Sequence, residues 1–181
     1  MLPTGQIRAL LREHDDPRSL ERPADFDKET ALDCYTRLVS ALEERFGPSC
    51  SSGLGQDASF CGVIDVPADA TGFGLPMGVA MSNFGNYFVT ASMRVGEGVP
   101  RGETRPPEEF VTWLDGVCTE MGCTFISDEL LRAPYDGPSV LSAAGDLALA
   151  AALVAAGLAE ADDTDEELGK SDWHDRYFEY M

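Results

Sequence analysis

The apolar residues of this chain change their spacing near residue 48, and that change limits the folds open to it. In "KETALDCYTRLVSALEERFG", Leu32, Tyr35, Leu38, Val39, Leu42 and Phe46 recur at helical intervals. The pattern predicts an amphipathic helix over 28–47, stopped by Gly47 and Pro48. From "ASFCGVIDV" onward the interval falls to two, with Phe60 and Ile64 on one side and Cys61 and Val63 on the other. A stretch that keeps helical period does not sit in a sheet, so the chain must contain both kinds of element.

The alternation continues through "PMGVAMSNFGNYFVTASMRV", which reads as two strands joined by a turn at Phe84, Gly85 and Asn86. These runs predict a three-stranded antiparallel meander. "SCSSGLGQD", just before it, reads as a flexible loop. A second helix is expected after Pro106 and Pro107, because proline fits a first helical turn and Glu108 and Glu109 suit its positive end. Its stripe is Phe110, Trp113, Leu114, Val117 and Met121, and Gly122 ends it. "CTFISDELL" supplies a fourth strand. Asp146 is placed to cap an Ala-rich helix that Gly157 terminates. The expected class is α+β: a small, mainly antiparallel sheet of about four strands with helices packed on one face.

A chain of 181 residues fits one domain, here 1–181, and can bury enough surface to fold without a metal or disulfide staple. Two segments stand apart from its core. Residues 14–27, charged and broken by Pro17 and Pro23, read as an exposed connector, and 159–170 read as an acidic loop. After that loop comes "SDWHDRYFEYM", in which Trp173, Tyr177, Phe178 and Met181 share one helical face. A disordered tail would carry few aromatics. The terminal helix is therefore expected to dock, capped by Ser171 with Asp172 in its first turn.

Charge narrows the function classes. Asp and Glu number 32 against 13 Lys and Arg, giving −19, and Lys28 and Lys170 are the only lysines. Such a field repels nucleic acid and anionic membranes and attracts basic proteins. It also fits a salt-adapted or GC-rich source, in which an acidic housekeeping protein owes its charge to composition alone. The longest apolar run, "LALAAALVAAGLA", is shorter than the ~18 residues of a membrane span. The N-terminal residues lack a basic segment followed by an apolar one, so the expected compartment is the cytoplasm.

No motif fixes a reaction. His14 and His174 are the only histidines, no G-x-S-x-G elbow is present, and neither "SSGLGQD" nor "TGFGLPMG" matches a phosphate-binding loop. Asp65 and Asp69 are the least surface-like of the carboxylates, and both read as turn residues. Cys34, Cys50, Cys61, Cys118 and Cys123 are odd in number and irregular in spacing, which predicts free thiols. Cys118, Cys123 and His174 fall one ligand short of a structural zinc site. Catalytic residues, metal and cofactor are all expected to be none.

What remains suits a domain that binds another protein, best read as an immunity- or inhibitor-type protein that neutralises a basic toxin or nuclease. The expected contact surface is Asp162, Asp163, Asp165, Glu166 and Glu167, with Tyr135 and Asp136 of "PYDG" beside it. The alternative is a small-molecule-binding domain or enzyme with a pocket between sheet and helices.

Overall fold

The computed structural model describes residues 2–16, 19, 21–55, 60–94, 105–137 and 171–179. The Ala-rich stretch after Asp146 and the acidic residues of 159–170 lie outside these. In chain order the elements are α1 (Thr4–Glu13), α2 (Lys28–Phe46), β1 (Ser51–Leu54), β2 (Phe60–Val66), α3 (Ala68–Thr71), β3 (Met77–Ser82) and β4 (Phe88–Met93). Then come α4 (Glu108–Met121), β5 (Thr124–Phe125), α5 (Asp128–Leu131) and α6 (Trp173–Phe178). This is the α+β class: a small sheet with helices packed against it.

Five strands lie in the order β1-β2-β3-β4-β5. The first four pair antiparallel as a meander, and β5 joins β4 in parallel. The extra strand is β1, in a stretch whose sequence reads as loop. Its four residues are all exposed, so nothing in their side chains alternates. What holds β1 is its backbone ladder with β2 and the Tyr35 hydroxyl, which donates to Gly53 O at 3.0 Å and Val63 O at 2.8 Å.

The register of β2 slips between Phe60 and Gly62. A bulge of this kind changes which face a residue takes. Cys61 accordingly packs in the same cluster as Ile64 rather than opposite it.

One side of the sheet carries α2 and α4. Leu38, Leu42, Phe110, Leu114 and Cys118 of these helices meet Ile64, Val79, Met81, Val89 and Ala91 of the strands. Asp27 caps α2, accepting from Glu29 N and Thr30 N, and Gly122 ends α4 in the left-handed region. Strand alternation sends Phe88 and Ile126 the other way from Val89 and Phe125. There they meet Ile7 and Leu11 of α1, Leu131 of α5, and Trp173, Tyr177 and Phe178 of α6. The short helices thus build a second core beyond the one made by the long pair.

The β3–β4 connection turns through Gly85, Asn86 and Tyr87, all with φ between +52° and +63°. Gly85 could carry no side chain here, because a Cβ would lie 2.0 Å from the Phe88 ring.

Candidate functional site

The terminal helix is docked by a polar joint as well as by its aromatics. The start of α6 is capped by Asp172, one residue later than Ser171. Asp172 accepts from Asp175 N while the Asp175 carboxylate accepts from Asp172 N, a reciprocal pair that Ser171 could not make with Asp175. Arg176 faces inward. Its Nε donates to Asp15 Oδ1 at 2.7 Å, its Nη2 reaches Asp16 O and Ser19 O, and its guanidinium lies 4.6 Å from the Phe84 ring centre. Asp15, in the stretch that reads as an exposed connector, has its side chain fully enclosed, and His14, Asp16, Ser19, Pro23 and Phe26 of the same stretch are half-buried. The pair and its surrounding acceptors let a charged stretch close over the second core.

Tyr135, expected beside a partner surface, belongs to this joint. Its hydroxyl donates to Asp15 Oδ2 at 2.7 Å, and its ring packs edge-on against Trp173 at 4.8 Å between centres. Burial first, then the Asp15 carboxylate, hold the phenol in its neutral form, well above its ordinary pKa. Its backbone N–H donates to Ser171 O at 2.9 Å. Tyr135 thus sits beside Ser171, four residues past Glu167 in the sequence. Asp136 points outward to an exposed ion pair with Arg12, which lowers its pKa chiefly by hydrogen bonding. Asp162, Asp163, Asp165, Glu166 and Glu167 lie outside the described residues.

His14 packs edge-on against Phe88, 5.7 Å between ring centres. His174 is largely enclosed, with Asp128 at 3.8 Å and Glu179 at 3.6 Å. Burial is the main reason its pKa falls below the ordinary 6.5, and the nearby Arg132 adds to the effect. Asp172, His174 and Asp175 bring three potential ligand atoms within 4.8 Å of one another. The Asp172 carboxylate already serves as cap and as acceptor from Arg132, and the Asp175 carboxylate closes the capping box. These contacts compete with any cation for the same oxygens. Asp65 pairs with Arg94 at 3.1 Å, and Asp69 lies in the first turn of α3.

Sequence reasoning did not separate out the cavity of about 890 Å³ that opens between the N-terminal half of α2 and the β1–β2 edge. Arg22, Phe26, Lys28, Tyr35, Cys61 and Asn83 are among its lining residues. Arg22 and Lys28 bring two exposed cations to it, an unusual local charge in so acidic a chain. They are far from Cys61 and Asn83 in sequence, so no local pattern announces the cavity. No helix among the described residues is long and apolar enough to cross a membrane. No family model, curated protein or solved structure matches the chain.

Proposed function

We propose that this chain is an acidic protein-binding domain of the immunity or inhibitor type, which neutralises a basic toxin or nuclease. The observation that carries the reading is uncompensated charge. Arg12, Arg45, Arg94, Arg105, Arg132 and Arg176 already face carboxylates of the same chain. Each such pair cancels internally, and the chain still carries −19. A field of that sign attracts the Lys- and Arg-lined sites with which nucleases hold phosphate. The five acids at 162–167 concentrate it in sequence immediately before a terminal helix whose apolar face is buried in its own fold. Tyr135, whose backbone N–H meets Ser171 O, and its sequence neighbour Asp136, already paired with Arg12, are the proposed flank of that surface. The test is capture of a basic protein from the native cytosol at low salt, followed by assay of its activity with added chain. Inhibition that saturates near one equivalent supports the reading; unaltered activity opposes it.

The two cations at the α2 cavity favour a second reading, a site for an anionic small molecule. Thermal stabilisation by a nucleotide or carboxylate, lost in the R22A/K28A double variant, would select it over the first.

A further inference from the structure

The Sγ atoms of Cys34 and Cys123 lie 2.8 Å apart, although the residues are 89 positions apart in sequence. Cys34 is on the inner face of α2, and Cys123 sits where α4 has ended and β5 begins. Both are buried, and both are free thiols. Two thiolates on one tetrahedral zinc, each at about 2.3 Å from the metal, would stand roughly 3.8 Å apart. The pair is too close for that arrangement, and Cys61 and Cys118 do not close around it within ligand reach.

We propose that Cys34 and Cys123 are a redox site, forming a reversible disulfide when a peroxide reaches them. Cys34 is the attacking sulfur. Its pKa is lowered first by the hydrogen bond from Cys123 and further by Arg37, while burial and Asp33 oppose. Cys123 is raised by the same contact and by burial, with Arg37 opposing. Cys61 and Cys118 are pushed up by burial to about 11 and about 12, which keeps them protonated and inert beside the pair.

In the first step the Cys34 thiolate attacks a peroxide oxygen. The O–O bond breaks, hydroxide leaves and takes a proton to become water, and Cys34 becomes a sulfenic acid. In the second step the Cys123 sulfur attacks the Cys34 sulfur. The S–O bond breaks, water leaves with the Cys123 proton, and the S–S bond forms. The two thiols lose two electrons and two protons, and hydrogen peroxide is reduced to two waters. The bond would tie α2 to the α4–β5 junction across the whole meander. Closing so long a loop raises the melting temperature by about 5–15 °C for a chain of this size.

The folded, fully reduced protein is treated with a modest excess of hydrogen peroxide, then denatured, and its remaining thiols counted. The expected result is loss of two of the five thiols, a linked peptide containing Cys34 and Cys123, and a higher melting temperature reversed by dithiothreitol. In C123S protein Cys34 should be trapped by dimedone as the sulfenic acid, whereas in C34S protein Cys123 should stay reduced. Five free thiols after treatment, a bridge through Cys50, Cys61 or Cys118, or equal oxidation of Cys123 in C34S protein would overturn the proposal. The wild-type peptide map decides even if a variant folds poorly.

Discussion

Arg176 and Asp15, 161 residues apart, form an ion pair from which solvent is excluded, at 1% and 0% side-chain exposure. Taking two charges out of water is costly, and such a pair persists only when its remaining hydrogen-bonding groups are satisfied. Here Tyr135 takes the second Asp15 oxygen, while Asp16 and Ser19 carbonyls take the outer guanidinium nitrogen. The joint ties α1, the connector, the 133–136 segment and α6 together. Removing one partner leaves the other charge buried and alone. Asp15→Ala should therefore lower stability by about 3–5 kcal/mol in urea denaturation. Arg176→Lys should also destabilise, because an ammonium lacks the forked donors that reach Asp15, Asp16 and Ser19 together. A loss below 1 kcal/mol would mean that the joint is open to water in solution.

The aromatic face of α6 makes a separate contribution. Tyr177 is fully buried between Phe84 and Phe88, and its hydroxyl donates to Leu11 O at 2.6 Å. Tyr177→Phe keeps the ring and removes the donor, for an expected cost of about 1–3 kcal/mol. Deleting 171–181 should cost far more, with a marked fall in melting temperature and binding of an apolar dye. An unchanged melting temperature would assign those aromatics to a partner.

His174 sets a pH dependence whose sign is fixed by its depressed pKa. Between its folded pKa and the ordinary 6.5, the unfolded chain takes up a proton that the folded chain refuses. Its contribution is intact above about pH 6.5 and is lost as pH falls from there through the folded value. His174→Gln should flatten that part of the stability–pH curve relative to the parent. Parallel curves for the two proteins would show that acid sensitivity comes from carboxylates alone.

Two glycines should respond to alanine with opposite signs. A Cβ at Gly62 would lie 2.6 Å from Gly53 O and 2.7 Å from the Tyr35 ring, so Gly62→Ala must push β1 or Tyr35 aside, at a cost of about 1–3 kcal/mol. Gly5, in the first turn of α1, meets nothing within 4 Å, and Gly5→Ala should stabilise by up to ~1 kcal/mol. Thermal melts of the two variants check both signs.

The elements legible in the sequence were those with a one-sided apolar pattern. The α2 stripe, the Gly122 stop and the terminal aromatics each carry a local signal and lie where that signal puts them. The β3–β4 turn falls one residue later than Phe84–Gly85–Asn86, at Gly85, Asn86 and Tyr87, because Phe84 is drawn into the second core. β1 was illegible because all four of its residues face solvent, and a strand held by backbone and one tyrosine has no alternation to read. The bulge at Phe60–Gly62 misled the pattern by moving Cys61 to the Ile64 side. Long-range pairs leave no spacing at all. Nothing in the sequence joins Asp15 to Arg176, Cys34 to Cys123, or Tyr135 to the joint that holds its hydroxyl.

If acidity is the working property of this chain, as proposed, association with the captured basic partner is steered by charge and its rate depends on salt. Stopped-flow rates should be measured across rising salt for the parent and for a variant with Asp162, Asp163, Asp165, Glu166 and Glu167 replaced by Asn or Gln, which takes the net charge from −19 to −14. Long-range attraction is screened beyond about 10 Å at 0.1 M salt, so the parent's on-rate should fall by about tenfold or more between low and physiological salt. The variant should associate more slowly at low salt, depend less on salt, and melt within a few degrees of the parent. An on-rate that ignores salt, or a variant that associates as fast as the parent, would show that the acids at 162–167 do not steer binding.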